Sequence, residues 1–301
     1  MAAGFAWVLN LDADVELGAI ASGAAGARAA YAPNRSVREA MRAFAPRLAA
    51  SLLGPEDLLV DEDSPLGIAR GRVGRAFCPT PRALRLLRRA GAEPDPHPEC
   101  DVLVRVNARA FASSLGPTLP GAAFVTLEAE AQAQLATPPP PDLSDAWRIK
   151  RNFGMTGRGQ RVVVPSRQTE ADMAFVRAGL GEGGVQIEPD VAIVDELAIH
   201  GLLAPNGALA VGPVVKQRCD ARGAWVSSER MPPEQAPSEL RREAERVAAA
   251  LTAAGYFGPF GVDAYTYRSR REPAVALQPR SEINARFTMG FTVTWDLLRG
   301  R

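Results

Sequence analysis

A run of four prolines, Pro138–Pro141, constrains this chain more than any other local feature. Proline lacks a backbone N–H and fixes its φ angle, so neither a helix nor a central strand continues through such a run. Because proline-rich segments form stiff spacers, we interpret the run as a linker. The residue pattern differs on its two sides, which predicts two structurally different parts.

The part before the prolines alternates short apolar strands with helices. A helix is expected to begin at Pro81, with Thr80 as its N-cap and Gly91 just beyond its end. The predicted strands are Phe5–Leu11, Leu58–Val60, Asp101–Val106 and Ala122–Thr126. Alternation of this kind predicts a small parallel sheet with helices on its faces.

The part after the prolines reads as α+β, with longer alternating strands that predict largely antiparallel sheets. Two helices are expected, over Thr169–Leu180 and Ser238–Ala254. The predicted strands are Ala146–Arg151, Gln160–Val164, Val185–Glu188, Ala192–Leu203, Leu209–Lys216, Ala224–Ser228, Gly261–Tyr267 and Ala274–Gln278.

Charge and hydropathy exclude several classes of partner. The 301 residues carry 35 Lys and Arg against 34 Asp and Glu, so no protein-wide field attracts nucleic acid. No apolar run reaches the roughly 18 residues of a membrane span, and the N-terminal segment lacks the basic start of a secretory signal. The three cysteines are scattered, which is no disulfide framework. We therefore expect a cytoplasmic protein without membrane or nucleic-acid partners.

The basic residues are almost all arginine, and only Lys150 and Lys216 are lysine. A sequence this rich in Arg, Ala, Gly and Pro is typical of a GC-rich genome, so a surface Arg carries little information. A lysine that is found in such an arginine-rich sequence is a candidate for a role that needs a compact ammonium group.

Lys150 stands at the end of a predicted strand, and a glycine-rich loop with Gly154, Thr156, Gly157 and Gly159 follows it. Glycines let backbone N–H groups approach phosphate oxygens closely, and a threonine hydroxyl adds a further donor. The segment is not a P-loop, since no Gly-Lys-Ser/Thr leads into a helix. An ordinary glycine-rich hairpin is the alternative interpretation.

Glu188-Pro189 resembles a hinge, and the next strand places Glu196 and His200 on one face. The carboxylate of Glu196 suits a ribose hydroxyl, while exposed backbone at the hinge can bind an adenine edge. An edge strand with solvated acids is the alternative for both glutamates. We interpret His200 as a partly buried polar residue rather than a catalyst.

The most specific pattern is a polar row on one strand face. If the segment Glu282–Arg286 forms an extended strand, Glu282, Asn284 and Arg286 share one face. Ile283 then lies on the opposite, apolar face. Asp263, on a neighbouring predicted strand, is placed to join the row. Hard oxygen ligands beside phosphates suit Mg²⁺, and an arginine stabilises charge on a transferring phosphoryl group. A surface strand with patterned charges is the alternative.

Over about residues 100–290, these features occur in the order found in the ATP-grasp superfamily, and the sequence resembles that superfamily. The two lysines are 66 residues apart, a separation that looks right for its two phosphate-contacting lysines. The Glu-x-Asn-x-Arg strand is similar to that of carboxylate–amine ligases such as D-alanine–D-alanine ligase, and of carbamoyl-phosphate synthetase and biotin carboxylase.

The resemblance implies an α+β, ATP-grasp fold, in which two α+β lobes hold ATP between antiparallel sheets. A small α/β pre-ATP-grasp domain is expected over residues 1–112, and the ATP-grasp domain over residues 113–301. Within the latter, the lid lobe is expected at about 145–190 and the C-terminal lobe at about 191–301.

The resemblance also implies roles for individual residues. Lys150 and Lys216 are expected to contact ATP phosphates beneath the 154–159 loop, with Glu188 at the adenine and Glu196 at the ribose. The metal ligands for Mg²⁺ are expected to be Asp263, Glu282 and Asn284, and the catalytic residues Arg286 and Lys216. Members commonly carry another lysine upstream, for which this chain offers Arg105, Arg109 or Arg148.

The activity implied is that of an ATP-dependent ligase, which activates a carboxylate as an acyl phosphate, releases ADP and joins the acyl group to an amine or other nucleophile. The expected partners are small-molecule or peptide carboxylates and amines, and a homodimer is common among similar proteins. A small-molecule kinase with the same site, or a nucleotide-binding protein without catalysis, is the alternative.

Overall fold

The computed structural model describes residues 4–23, 26, 31–117, 119–154, 159–219, 225–270 and 275–298. Within these residues the chain forms a parallel sheet near the N-terminus and then two antiparallel sheets, each with helices packed against it. The α+β class and its order along the chain agree with the sequence prediction.

The N-terminal sheet is parallel, with Ala6 paired to both Leu58 and Gly74. Its strand order is β2-β1-β3-β4. The strands are β1 (Ala6–Val8), β2 (Leu58–Leu59), β3 (Val73–Ala76) and β4 (Glu93–Pro94). The helices are α1 (Ala13–Ala21), α2 (Arg35–Leu52) and α3 (Pro81–Arg89). The start of α3 after Thr80 confirms the predicted cap position, and Gly91 follows the helix with a φ angle of +83°.

The predicted strand Asp101–Val106 is wrong, because this segment belongs to helix α4 (Cys100–Asn107). Its buried residues are Leu103, Val106 and Asn107, which are spaced as neighbours on one face of a helix. Valines favour strands locally, and helix packing overrides that preference here. A short helix, α5 (Arg109–Ser114), follows at once. The predicted domain boundary after residue 112 falls inside α5 and stays a prediction.

The second sheet, which we call the lid sheet, has the antiparallel order β5-β8-β6-β7. Its strands are β5 (Ala123–Val125), β6 (Trp147–Arg151), β7 (Gln160–Val163) and β8 (Val185–Pro189). The helices α6 (Glu128–Ala136) and α7 (Glu170–Gly181) pack on one face of it. A reciprocal capping box between Thr169 and Asp172 fixes the start of α7.

The four prolines do not separate two folded units, so their interpretation as a linker is wrong. β5 lies before them and pairs with β8, which lies far beyond them. The indole N–H of Trp147 donates to the carbonyl oxygen of Thr137 over 2.7 Å, which ties the start of the run to β6. The run is therefore a stiff connection inside the lid sheet's own unit.

The third sheet, which we call the C-terminal sheet, has the order β11-β10-β9-β12-β13. Its strands are β9 (Ala192–Leu203), β10 (Leu209–Cys219), β11 (Trp225–Arg230), β12 (Gly258–Arg268) and β13 (Val275–Asn284). Helix α8 (Ser238–Ala253) covers one face, where Leu240 and Val247 meet Leu197, Ile199 and Ile283 in the main core. Beyond β13 follow a 3-10 turn (Met289–Val293) and α9 (Trp295–Leu298), and shorter 3-10 turns occupy Pro165–Arg167 and Pro233–Gln235.

His200, on β9, is fully buried rather than partly buried as expected. Its Nε2 lies 2.8 Å from the hydroxyl of Thr288, and its ring packs edge-to-face on Phe291. A Cβ added at Gly290 would lie 2.1 Å from the ring, so the glycine permits this close contact. Burial lowers the pKa of His200 to about 3, which keeps the ring neutral at physiological pH.

The neutral His200 makes the stability of the fold depend on pH. Its folded pKa is depressed below the value of about 6.5 expected in the unfolded chain, so only the unfolded chain takes up this proton between those values. The stability that the neutral His200 contributes is fully present above pH 6.5. It decreases as the pH falls, and by pH 5 the free energy of unfolding is lower by about 2 kcal/mol. We predict that His200→Gln has a shallower decline in free energy of unfolding between pH 8 and pH 5, measured by urea denaturation. Parallel declines in the two proteins would contradict this assignment.

Candidate functional site

The lid sheet and the C-terminal sheet face each other across a cleft of about 610 Å³. Lys150 and Glu188 line it from the lid sheet, and Glu196, Asp263 and Glu282 line it from the C-terminal sheet. The structure thus brings together residues that are more than a hundred positions apart in the sequence. Charged side chains of the two sheets meet here because the other face of each sheet is taken up by helices and apolar side chains.

Strand alternation places Lys150 in the cleft. Trp147 and Ile149 of β6 point into the core of the lid sheet, so Arg148 and Lys150 point the other way. The Nζ of Lys150 lies 2.5 Å from Oε1 of Glu188, and the side chains are only 8% and 2% exposed. Gln186 donates its amide to the other oxygen of Glu188 over 2.7 Å. The ammonium group is therefore held on the cleft face by a buried ion pair.

The glycine-rich hairpin borders this lysine. Gly154 lines the cleft, and Gly159 has a φ angle of +85°, a left-handed conformation that favours glycine. The carbonyl oxygen of Gly159 accepts a hydrogen bond from the backbone N–H of Arg151 over 2.9 Å, which closes the hairpin at its base. The other two predicted loop residues, Thr156 and Gly157, lie outside the described residues.

The predicted metal ligands meet on the opposite wall. Asp263 pairs in register with Glu282, and Asn284 donates its amide to Asp263 over 2.8 Å. Gln217 donates to the other oxygen of Asp263 over 3.1 Å. Desolvation, followed by the nearby Glu282 carboxylate, raises the pKa of Asp263 to about 7. Two carboxylates and an amide group are thus concentrated at one point of the cleft.

These residues alone do not complete a metal-binding cage. Among the described residues, no group of three or more His, Cys, Asp or Glu side chains could hold a metal ion. Magnesium, however, is commonly bound by one or two carboxylates, with water and substrate phosphates supplying the other ligands. Asp263, Glu282 and Asn284 match that kind of incomplete set.

Arg109, the first residue of α5, reaches the same point. Its Nη2 donates to Glu282 over 3.0 Å, and its Nε donates to the carbonyl oxygen of Arg151 over 3.0 Å. Its Nη1 is buried and has no hydrogen-bond partner among the described residues. Arg148 also lines the cleft and pairs with Asp190, whereas Arg105 bonds the carbonyl oxygen of Ala254 outside it. Two of the three arginines considered from the sequence are therefore in the cleft.

Arg286 joins the cleft to the N-terminal unit. Its Nε donates to Oδ1 of Asp14 over 3.0 Å, and its Nη2 donates to Oδ2. The pair is largely buried, with side-chain exposures of 12% and 10%. Sequence reasoning did not select Asp14, although the acidic segment directly after β1 was a signal. Residues at the carboxyl ends of parallel strands commonly line sites.

Lys216 does not lie in this cleft, in contrast to the expectation that it accompanies Lys150. Its Nζ pairs with Asp195 at 2.5 Å on the opposite face of the C-terminal sheet. The residue that faces the cleft at this point is Gln217, which pairs in register with Glu196. Sequence reasoning missed Gln217.

A bulge in β10 explains the position of Lys216. Val211 and Val214 both point into the core beneath α8, because the register with β9 shifts by one residue between them. An uninterrupted alternation from Val211 would have placed Lys216 in the cleft. The extra residue moves Lys216 to the core side and Gln217 to the cleft side.

No protein-family model and no curated protein sequence matches the chain. Solved structures match its fold. The chain resembles N5-carboxyaminoimidazole synthetase from Staphylococcus aureus complexed with ADP (TM-score 0.52, 13% identity, 95% of this chain and 71% of that chain). It also resembles D-alanyl-alanine synthetase A from Vibrio cholerae (TM-score 0.51, 11% identity, 96% and 90%). The chain has the ATP-grasp fold.

This chain also matches one part of a much larger enzyme in fold. Pyruvate carboxylase from Rhizobium etli matches with a TM-score of 0.52 and 17% identity over 96% of this chain, but over 27% of that chain. The fold predicted from the Lys150 and Glu282–Arg286 segments is therefore confirmed, and the identities are too low to carry an activity with it.

The buried pair of Asp14 and Arg286 generates a stability prediction. Asp14→Asn leaves the guanidinium of Arg286 without its counter-charge, and we expect the free energy of unfolding to fall by about 3 kcal/mol. The exposed pair of Arg35 and Glu39, with exposures of 89% and 58%, supplies the control. Glu39→Gln should cost less than about 0.5 kcal/mol. Equal effects in urea denaturation would show that Asp14 does not stabilise Arg286.

Proposed function

We propose that this protein is an ATP-dependent ligase that activates a carboxylate as an acyl phosphate, releases ADP, and joins the acyl group to an amine or another nucleophile. The observation that carries the proposal is the opposition of Lys150 and the Asp263–Glu282–Asn284 set across one cleft. A cleft of about 610 Å³ is in the range of small-molecule sites.

The nucleotide is assigned to the space between the two sheets. Lys150 supplies a compact positive charge for phosphate oxygens, with Gly154 at the edge of the hairpin beside it. The backbone around Glu188 and Pro189 is assigned to the adenine edge, and the carboxylate of Glu196 to the ribose hydroxyls. Lys216 lies on the other face of the sheet. We therefore assign the phosphate contacts to Lys150 and to the cleft arginines Arg109 and Arg148.

Asp263, Glu282 and Asn284 fit a magnesium ion. The adjacent carboxylates of Asp263 and Glu282, with the amide group of Asn284 beside them, form a concentration of negative charge that a divalent cation would relieve. A bound Mg²⁺ supplies charge neutralisation on phosphate oxygens. Gln217 and Asn284 orient the carboxylate of Asp263, while Arg109 orients that of Glu282.

The arginines are assigned to the reacting groups. An oxygen of the substrate carboxylate forms a bond to the γ-phosphorus of ATP as the bond to the β–γ bridging oxygen breaks, and ADP leaves. The amine then forms a bond to the acyl carbon, phosphate leaves, and the amine proton passes to solvent. Arg286 holds the carboxylate, and Arg109, whose Nη1 has no hydrogen-bond partner in the described part of the chain, takes the place of the upstream lysine. Phosphoryl transfer needs positioning and charge stabilisation rather than a protein nucleophile.

The structural neighbours support ATP and small-molecule substrates as the partners of this site. The Staphylococcus aureus structure was determined with ADP, and the Vibrio cholerae protein is named as a synthetase of D-alanyl-alanine. In the described part of the chain, no helix combines the length and apolar character needed to cross a membrane. We propose small-molecule or peptide carboxylates and amines as substrates. A homodimer and a cytoplasmic location stay predictions from the sequence.

The two lysines supply a matched pair of variants. Lys150→Arg replaces a point charge in a buried pair, and we expect Mg-ATP affinity to fall at least about tenfold, a loss of about 1.4 kcal/mol of ligand stabilisation. Lys216→Arg, on the other face, should keep the parent's rise in melting temperature with Mg-ATP. The measurement is thermal unfolding with and without Mg-ATP. The reverse pattern would place the phosphates at Lys216 and reject this site.

The metal set is tested by separating turnover from folding. Glu282→Gln should still fold, although it lowers stability by removing the counter-charge of the buried Arg109. It should lower ADP release on the order of 100-fold, because the amide does not offset the charge of a metal. The neighbouring variant Ile283→Asp should unfold the protein, since Ile283 is 3% exposed in the core. ADP, phosphate and products are measured beside thermal stability. A fully active Glu282→Gln would remove the metal assignment, and a stable phosphorylated product would identify a kinase.

A further inference from the structure

The end of the cleft beside Arg286 has a wall of apolar side chains. The wall comes from the loops after β1 and β3, from α2, from β11 and from the 3-10 turn after β13. Its residues are Leu11, Met41, Phe44, Phe77, Trp225 and Met289. Apolar groups that line a cleft favour an apolar group of the ligand, because both are then removed from water.

This wall is a built surface rather than a scatter of exposed side chains. The rings of Phe44 and Trp225 meet edge-to-face with centroids 6.4 Å apart. Arg47 of α2 donates to the carbonyl oxygen of Val226 over 3.1 Å, which fastens α2 to β11. Phe77 is buried, and the guanidinium of Arg286 lies 5.6 Å from its ring centroid. The apolar wall and the charged group therefore adjoin.

The charges at this end form a matched pair. Asp14 and Arg286 bind each other, and the other charged residues of the described cleft lining belong to α5, the lid sheet or strands β9, β12 and β13. The bonds of Arg286 to Asp14 and to the carbonyl oxygen of Phe287 use three of its five N–H groups. Two donors and further carboxylate lone pairs are left for a ligand.

We propose that this end binds a free α-amino acid with a large apolar side chain and no phosphate group. Its ammonium group lies on Asp14, its carboxylate on Arg286, and its side chain on the wall of Phe44 and Trp225. An anion and a cation side by side complement a zwitterion, whereas a phosphate would meet an arginine already neutralised by Asp14. This inference rests on the proposed function, in which the bound carboxylate is the group that ATP activates.

The test compares leucine with asparagine, whose side chains have nearly the same size and shape. Each is supplied with Mg-ATP and hydroxylamine, which displaces phosphate from an acyl phosphate to give a hydroxamate, and ADP and hydroxamate are measured. We expect kcat/KM for leucine to exceed that for asparagine at least about tenfold. Phe44→Ala should reduce that ratio at least about fivefold. Phe5→Ala removes a half-buried aromatic outside the cleft and should leave the ratio unchanged.

The outcomes separate this inference from the ligase proposal. A preference for asparagine or for a phosphorylated carboxylate, with ADP still released, would overturn the apolar subsite and leave the ligase intact. An unchanged ratio in Phe44→Ala, or a rise in melting temperature with Mg-ATP without turnover of any amino acid, would also overturn the subsite. Absence of that rise together with absence of hydroxamate from every carboxylate would instead reject the proposed function.

Discussion

The alternation of side chains along extended strands governs this site. Each of the two antiparallel sheets has one face covered by helices, where Ile149 of β6 and Ile283 of β13 are buried. Because neighbouring side chains point to opposite faces, Lys150 and Glu282 must point away from those cores. The requirement to bury apolar surface therefore also creates two polar walls, and the fold turns them toward each other.

Burial of the charges depends on their arrangement in pairs. Lys150 is nearly inaccessible and is matched by Glu188, while Arg286 is matched by Asp14 from a different unit of the chain. An unpaired charge at either place would be costly, so each pair fixes the orientation of a group that can also bind a ligand. Through Asp14, the N-terminal unit contributes directly to the cleft and is more than a neighbouring domain.

Sequence reasoning succeeded where the local pattern determines the geometry. The Glu282-x-Asn284 spacing needs only an extended strand, and the structure confirms that both side chains face Asp263. Lys216 could not be placed in the same way, because the register shift between Val211 and Val214 reverses the faces of β10 and leaves no clear mark in the sequence. Asp101–Val106 failed for a different reason, since tertiary packing selected a helix for a valine-rich segment. Arg109 and Asp14 reach the cleft from separate elements, and such proximity is a property of the whole fold.

A crystal structure with Mg²⁺ and a non-hydrolysable ATP analogue would show directly whether the nucleotide lies between the two sheets. We expect phosphate oxygens within hydrogen-bond distance of Lys150. We also expect a metal ion bound by Asp263, Glu282 and Asn284, with Lys216 still paired to Asp195. A nucleotide bound outside this cleft, or phosphates held by Lys216 on the other face of the C-terminal sheet, would contradict it.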